Sequence, residues 1–293
     1  MSKPSPSRKK RSFPPAGIEP KPLPQKTLQS DARPVRWGLV ALFLVIALGG
    51  TYLAIWLRPK THAPRYTYKL IKEYDHDPAA FTQGLMVANG LLWESTGRYG
   101  ESTVRKIDLK SDEILKQVKL DDKYFGEGLA VHGNQLFQLT WKSGKAFVYD
   151  LELEKVKEFE FEGEGWGLAT NGTDLIFSNG TTIIKFLDPA TFEMRRSIRV
   201  RRPEGLRVGQ LNELEYFGGK IYANQYLSDI IYEIEPESGV VTAVIDLSGL
   251  WPTKDRPRDG LLNGIAAIPN TRKLLVTGKL CPKIFEIELK LEQ

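Results

Sequence analysis

Beyond Tyr66 the chain carries its apolar residues in short runs that alternate with polar residues, and helical spacing is hard to find. Asn-Gly, Gly-Asn and Gly-Gly pairs separate the runs, as they do in tight turns between antiparallel strands. An apolar period of two indicates strands that have one face in a core. We therefore predict that residues 66–293 form an all-β domain built from hairpins.

This strand pattern repeats five times. Each unit has a strand, a tight turn and a second strand, followed by a third strand and, in the first four units, by a fourth. The segment YTYKLIKEY, at the start of the domain, can supply the strand that the fifth unit lacks. Equivalent apolar residues are 44, 39, 46 and 51 positions apart, at Leu85, Leu129, Leu168, Leu214 and Ile265.

The length of the repeat predicts the architecture. Four strands in about 40–50 residues form one blade of a β-propeller. Five units therefore predict a five-bladed β-propeller, and an N-terminal strand in the last blade would remove an exposed edge. A β-sandwich is the alternative, but it explains the number of strands and not their period.

The repeats also predict which side chains face the centre. The first strand of each blade lines the channel of a propeller, so equivalent positions form a ring. Two places before each repeated Leu or Ile stand Gln83, Glu127, Trp166, Asn212 and Asn263. Glu127 is the acid of this ring, and it lies between two glycines in the segment YFGEGLAV.

Aromatic residues and a lysine are expected at the same end of the channel. Phe81 and Phe125 precede first strands, and Trp141, Tyr226 and Lys279 follow second strands. An apolar pocket with a few convergent polar groups is the usual form of a small-ligand site. Burial should raise the pKa of the ring carboxylate and the lysine should lower it, a balance that suits proton transfer near neutral pH.

These residues also have structural interpretations. The carboxamide side chains can simply bind water or a backbone amide, and the two tryptophans can belong to the core. Because so many candidate side chains converge on one ring, a functional site is favoured over these structural roles. Glu213 and Glu215, in the segment LNELEY, are expected to cap turns or to pair with arginine.

The chain before the propeller has a different composition. Residues 1–36 are rich in Pro, Ser, Lys and Arg, which predicts a disordered basic tail. Residues 37–57 form an uncharged run of 21 residues, long enough to cross a membrane, and residues 58–65 are predicted to be a linker. A cleaved signal peptide is the alternative, but its apolar region is usually about 7–15 residues long and ends at small residues.

The charge distribution suggests an orientation and disfavours one class of partner. Lys and Arg before a span keep that end in the cytoplasm, so we expect a single-pass membrane protein with its propeller in the periplasm or outside the cell. The tail has a net charge of +7 and the whole chain +5, so the remainder is near −2. Nucleic-acid binding by the domain is therefore disfavoured.

Cysteine and histidine are scarce. Cys281 is the one cysteine, so the chain cannot form an internal disulfide. His62, His76 and His132 do not have metal-ligand spacing with one another or with the cysteine. We therefore expect no zinc site of the usual kind. We assign no metal-binding residues and no cofactor, and a calcium ion that stabilises the propeller is left open as an alternative.

Many ordered motifs resemble one family. DPAAFTQGL, YFGEGLAV, LTWKSG, GWGLATNG, LNELEY, LNGIAA and TGKLCPKIFEIEL are similar to segments of the glutaminyl-peptide cyclotransferases of the plant and bacterial type. The resemblance covers residues 66–289 and implies a five-bladed propeller without zinc. It also implies an activity, the conversion of an N-terminal glutamine of a peptide or protein to pyroglutamate with release of ammonia.

The resemblance implies roles for the candidate residues. Glu127 would move the proton, and Gln83, Asn212 and Lys279 would orient the substrate or stabilise the oxyanion. The remaining substrate-binding residues would be Phe81, Phe125, Trp141, Trp166, Tyr226 and Asn263.

Two positions depart from the family pattern, which favours Trp at each. Tyr226 would keep an aromatic wall, whereas Cys281 is expected to lose volume and to widen the mouth of the pocket. These departures motivate an alternative function, a membrane-anchored propeller that binds peptide N-termini with weakened or lost catalysis. A scaffold held at the membrane is a third hypothesis.

Overall fold

The computed structural model describes residues 62–111 and 113–292. These residues form β-strands and one short 3₁₀ helix, Thr253–Asp255, which confirms the predicted all-β class. The predicted tail and the predicted span lie outside the described residues, as do residues 58–61 of the predicted linker. Within the described part of the chain, no helix is long and apolar enough for a membrane crossing.

The strands form three four-stranded sheets and one eight-stranded sheet, and each four-stranded sheet follows the order of the chain. The first contains β2 (Thr82–Ala88), β3 (Leu91–Thr96), β4 (Thr103–Asp108) and β5 (Glu113–Lys119). The second contains β6 (Gly126–His132), β7 (Gln135–Thr140), β8 (Lys145–Asp150) and β9 (Lys155–Glu160). The third contains β10 (Leu168–Thr170), β11 (Leu175–Phe177), β12 (Ile183–Leu187) and β13 (Met194–Arg199).

The eight-stranded sheet combines two sets of four strands. It contains, in spatial order, β14 (Leu211–Phe217), β15 (Lys220–Gln225), β16 (Ile230–Ile234), β17 (Val241–Asp246), β1 (Arg65–Asp75), β20 (Lys283–Leu291), β19 (Lys273–Lys279) and β18 (Leu261–Ala267). Strand β1 pairs antiparallel with β20, as the incomplete fifth repeat predicts. It also pairs in parallel with β17, which the repeats do not predict, and it begins at Arg65 rather than Tyr66.

The first strands of these sets form a closed cycle. Strand β2 contacts β6, β6 contacts β10, β10 contacts β14, β14 contacts β18, and β18 returns to β2. An apolar cluster lies between each neighbouring pair of sets, such as the cluster of Leu85 and Leu92 with Ala266, Leu275 and Ile284. Because the core is divided among these clusters, the arrangement is propeller-like.

Glycine allows the first strands to approach one another closely. A Cβ atom on Gly84 would lie 2.6 Å from the backbone nitrogen of Leu129, and one on Gly167 would overlap the backbone oxygen of Asn212. At the equivalent place in the second repeat, the amide of Gly128 donates a 2.7 Å hydrogen bond to a carbonyl on the next repeat. A side chain at these positions would push the strands apart.

Glu213 occupies the same place in the fourth repeat, and its carboxylate spans the channel. One oxygen accepts a hydrogen bond from the amide of Leu85 at 3.2 Å, and the other accepts one from Ile265 at 2.8 Å. Glu215 lies two residues further along the same face and accepts hydrogen bonds from two backbone amides. The expectation that these acids cap turns or pair with arginine is therefore wrong, since both bind backbone amides and Glu213 joins three first strands.

We predict that Gly167→Ala strongly destabilises the fold. The new methyl group would meet backbone, which cannot rotate away, so the free energy of unfolding should fall by about 1–3 kcal/mol or more. Gly209→Ala is the matched control, because its Cβ would meet only a side-chain methyl of Thr182 at 3.5 Å. Thermal unfolding of both variants measures the difference, and equal melting temperatures would contradict the account.

We also predict that stability falls as the pH rises from 5 to 8. Burial raises the pKa of Glu215 to about 8, whereas an unfolded Glu titrates near 4.3. The folded state keeps a proton that the unfolded state releases between these values, so ionising this carboxyl costs folding stability in that window. Glu215→Gln should remove about a few kcal/mol of this pH-dependent loss of folding free energy. The melting temperature of the variant should therefore decline less between pH 5 and 8.

The exposed Glu113→Gln substitution is the control for a lost carboxylate. A melting temperature whose pH dependence is the same in the wild type and in Glu215→Gln would contradict this prediction.

Candidate active site

Interruptions in the strand ladders direct the ring side chains out of the sheets. The pairing of first with second strands shifts register at one place in β2, β6, β14 and β18, between Thr82/Gly84, Gly126/Leu129, Leu211/Leu214 and Leu262/Ile265. A bulge re-aims a side chain and commonly lies next to a site. The predicted ring residues Gln83, Glu127, Asn212 and Asn263 fall inside these interruptions, and Trp166 precedes β10.

A cavity of about 310 Å³ lies at this level. Its lining contains nine of the ten predicted site residues: Phe81, Gln83, Phe125, Glu127, Trp141, Trp166, Asn212, Tyr226 and Lys279. The tenth, Asn263, does not line the cavity. It is fully buried and donates hydrogen bonds to the carbonyl of Thr82 and to the side chain of Gln83, so it supports a lining residue.

Edge-to-face aromatic contacts build the walls. The ring of Phe125 lies 6.1 Å from that of Phe81 and 5.5 Å from that of Trp141, between centroids. On the other side, the rings of Trp166 and Tyr226 are 5.5 Å apart. These geometries are favourable for aromatic pairs, and they fix the shape of the cavity before a ligand arrives.

Glu164 joins the two aromatic pairs, and it is the residue that the sequence reasoning missed. The indole nitrogens of Trp141 and Trp166 each donate a 2.9 Å hydrogen bond to one oxygen of Glu164. A signal was available, because Glu164 stands between two glycines as Glu127 does. It lies four residues before Leu168 rather than two, and so falls outside the repeat alignment.

Glu127 is a buried carboxyl with little polar support. Only 4% of the residue is exposed, and one oxygen accepts a 2.9 Å hydrogen bond from the side-chain amide of Gln83. Burial raises the pKa of Glu127 well above its ordinary value, Lys279 opposes that rise, and Glu164 adds to it. The expected balance between burial and the lysine is present, with burial dominant.

Lys279 closes the wall between Tyr226 and Phe81. Its ammonium lies 5.0 Å from the centroid of the Phe81 ring and 5.3 Å from that of Tyr226. Burial lowers the pKa of Lys279, and the nearby Glu127 opposes that change. Aromatic faces therefore hold the cation beside the cavity.

Asn212 presents an unsatisfied acceptor. Its side-chain oxygen is buried and has no hydrogen-bond partner among the described residues. A buried polar atom without a partner costs free energy, and a ligand that donates a hydrogen bond would remove this cost. The cavity thus offers an acceptor at Asn212, a carboxyl at Glu127 and a cation at Lys279.

His76 fixes the turn that follows Lys279. One ring nitrogen lies 2.7 Å from the carbonyl oxygen of Cys281 and the other lies 2.9 Å from a carboxylate oxygen of Glu94. Both partners are acceptors, so the contacts favour a ring in which both nitrogens donate, which is an imidazolium. Burial acts to lower the pKa of His76, but the charge of Glu94 and the hydrogen bonds raise it overall.

Cys281 does not widen the mouth of the pocket, which corrects the expectation. It is fully buried in a core cluster with Trp251, Leu262 and Phe285, and it does not line the cavity. Leu280 has a positive φ of 61°, so the chain turns sharply between the lysine and the cysteine. Tyr226 keeps an aromatic wall, as expected.

Over residues 62–111 and 113–292, no group of three or more His, Cys, Asp and Glu side chains is arranged to hold a metal ion.

Comparisons with known proteins agree with this geometry. The glutamine cyclotransferase family matches residues 42–289. A glutaminyl-peptide cyclotransferase of Arabidopsis thaliana is 44% identical over 229 residues, which cover 76% of this chain and 71% of that protein. The crystal structure of Myxococcus xanthus glutaminyl cyclase superposes with a TM-score of 0.74 at 35% identity, covering 79% of this chain and 100% of the other. The chain therefore belongs to the glutamine cyclotransferase family.

Proposed function

We propose that this protein is a glutaminyl-peptide cyclotransferase, which converts an N-terminal glutamine to pyroglutamate and releases ammonia. The observation that carries the proposal is Glu127, a buried carboxyl with a raised pKa inside an aromatic cavity. A volume of about 310 Å³ is at the lower end for ligand pockets, about 300–1,000 Å³, and suits a single terminal residue. The aromatic walls would hold glutamine curled, with its amine close to its own carboxamide.

One carboxyl can serve both proton transfers of this reaction. The neutral α-amine forms a bond to the side-chain carbonyl carbon, and the carbonyl π electrons move to oxygen. Glu127 accepts a proton from the attacking nitrogen and donates it to the carboxamide nitrogen. When the electron pair on oxygen re-forms the double bond, that nitrogen leaves as ammonia. The charge of Lys279 favours the ionised form of Glu127 that accepts the proton, and burial, which raises its pKa, favours the protonated form that donates it.

The remaining polar groups orient the substrate and stabilise charge. Lys279, which lines the cavity, would stabilise the negative charge that develops on the carbonyl oxygen. The free acceptor of Asn212 suits an N–H of the substrate, either on its amine or on its carboxamide. Gln83 holds Glu127 through a direct hydrogen bond, and Asn263 in turn holds Gln83.

We further propose that the strand sets are the blades of a five-bladed β-propeller. The closed cycle of first strands and the antiparallel pairing of β1 with β20 support this count. An experimental structure with a different number of four-stranded sets around the channel would contradict it.

We predict that Glu127→Gln lowers kcat by at least about 10²–10⁴-fold, the usual contribution of a general acid–base group. The amide has almost the same shape, but it cannot take up and return the proton. Ammonia release from peptides with N-terminal Gln is the measurement, and the exposed Glu113→Gln substitution is the control. Undiminished ammonia release by Glu127→Gln would contradict the mechanism. Saturable peptide binding by the wild type without turnover would instead favour a propeller that only binds peptide N-termini.

We also propose that residues 37–57 anchor the protein, with the N-terminus in the cytoplasm and the propeller in the periplasm or outside the cell. The support is the uncharged run and the basic segment before it. The protein should stay in the membrane after alkaline carbonate extraction, and deletion of residues 37–57 should release it. Deletion of residues 1–30 is the control for a shortened chain. Extraction of the full-length protein by carbonate would refute the anchor.

A further inference from the structure

A second and larger cavity, of about 620 Å³, adjoins the candidate active site. The two share three walls, which are Phe81, Tyr226 and Lys279. The second cavity, which we call the exit groove, lies between the turn at residues 226–229 and the segment at residues 253–261. A chain leaving the first cavity past the shared walls would enter the groove directly.

We propose that the exit groove binds the residues that follow the N-terminal glutamine of a peptide substrate, and that Arg258 favours an acidic side chain there. The inference rests on the proposed function, since that reaction places only the first residue in the inner cavity. The rest of the peptide must leave through the opening, and the groove has about twice the inner volume. It can therefore hold more than one residue in an extended conformation.

The charges of the groove point to the chemistry of its occupant. The guanidinium of Arg256 forms two 2.8 Å hydrogen bonds to the carboxylate of Asp229, so these two charges satisfy one another. A carboxylate oxygen of Asp259 lies 3.5 Å from a guanidinium nitrogen of Arg98, so Asp259 also has a partner of opposite charge. Arg258 is exposed, lines the groove and has no ion pair within the described part of the chain. Among the described residues that line the groove, Arg258 is therefore the arginine whose charge is left without an ion pair, and it complements an acidic residue.

An exposed leucine forms part of the apolar lining of the groove. Leu227 is 69% exposed, and its φ of 60° is uncommon for a residue other than glycine. This backbone conformation is unfavourable, and it leaves an apolar side chain in solvent at the wall of the groove. A bound peptide would cover that side chain and would thereby gain apolar burial.

The test compares three substrates with the full-length protein: glutamine amide, Gln-Asp-Ala amide and Gln-Lys-Ala amide. The wild type should favour the acidic peptide over the basic one in kcat/KM. Arg258→Glu should lower kcat/KM for the acidic peptide by about threefold or more and raise it for the basic peptide, because an exposed ion pair changes binding by up to about fivefold. Glutamine amide does not reach the groove, so its kcat/KM should stay unchanged.

Lys254→Glu is the matched control, since it reverses an exposed charge in the same segment without lining the groove. Equal effects of Arg258→Glu and Lys254→Glu on kcat/KM would overturn the proposal. The same holds if the acidic and the basic peptide have equal kcat/KM values in both the wild type and Arg258→Glu. Turnover of none of the substrates by the wild type would instead refute the proposed function. Calorimetric titration of the two peptides into the wild type and both variants would then test the groove by itself.

Discussion

The close approach of the first strands around the channel is the constraint on which the rest of the structure depends. At Gly84, Gly128 and Gly167 the neighbouring strand leaves no space for a Cβ atom. The ladders of β2 and β6 break at the same level, and Gln83 and Glu127, which precede the first two of these glycines, turn out of their sheets. The packing of the channel and the placement of the polar side chains in the cavity therefore have one cause.

The cavity combines rigid walls with a carboxyl that few groups stabilise as an anion. Glu164 ties Trp141 to Trp166, and Lys279 lies against both Phe81 and Tyr226, so aromatic rings and charged groups alternate around the site. Burial then opposes ionisation of the carboxyl at the centre. Because these walls need no rearrangement, little free energy is lost in ordering them when a ligand binds.

The sequence predicted the parts of the site that follow the repeat and missed those that do not. Nine of the ten predicted residues line one cavity, because equivalent positions in repeated strands must meet at the channel. Glu164 was missed because it lies in a loop, outside the register. The contacts of Glu213 were missed because the equivalent residues are glycines, which gave no sign that a carboxylate could span the channel. The direction of Cys281 depends on a left-handed residue before it, and the repeat does not reveal that residue.

The position of β1 has a consequence for how the chain folds. This strand comes first in the domain, yet its antiparallel partner β20 is the last strand to be synthesised. The register joins Tyr66 to Leu291, and so spans nearly the whole domain. Such non-local pairing is slow, because the entropy of closing a long loop is lost before the contacts form. The eight-stranded sheet cannot be completed before β20 has been synthesised, so β1 must wait with an unpaired edge until translation of the domain has ended.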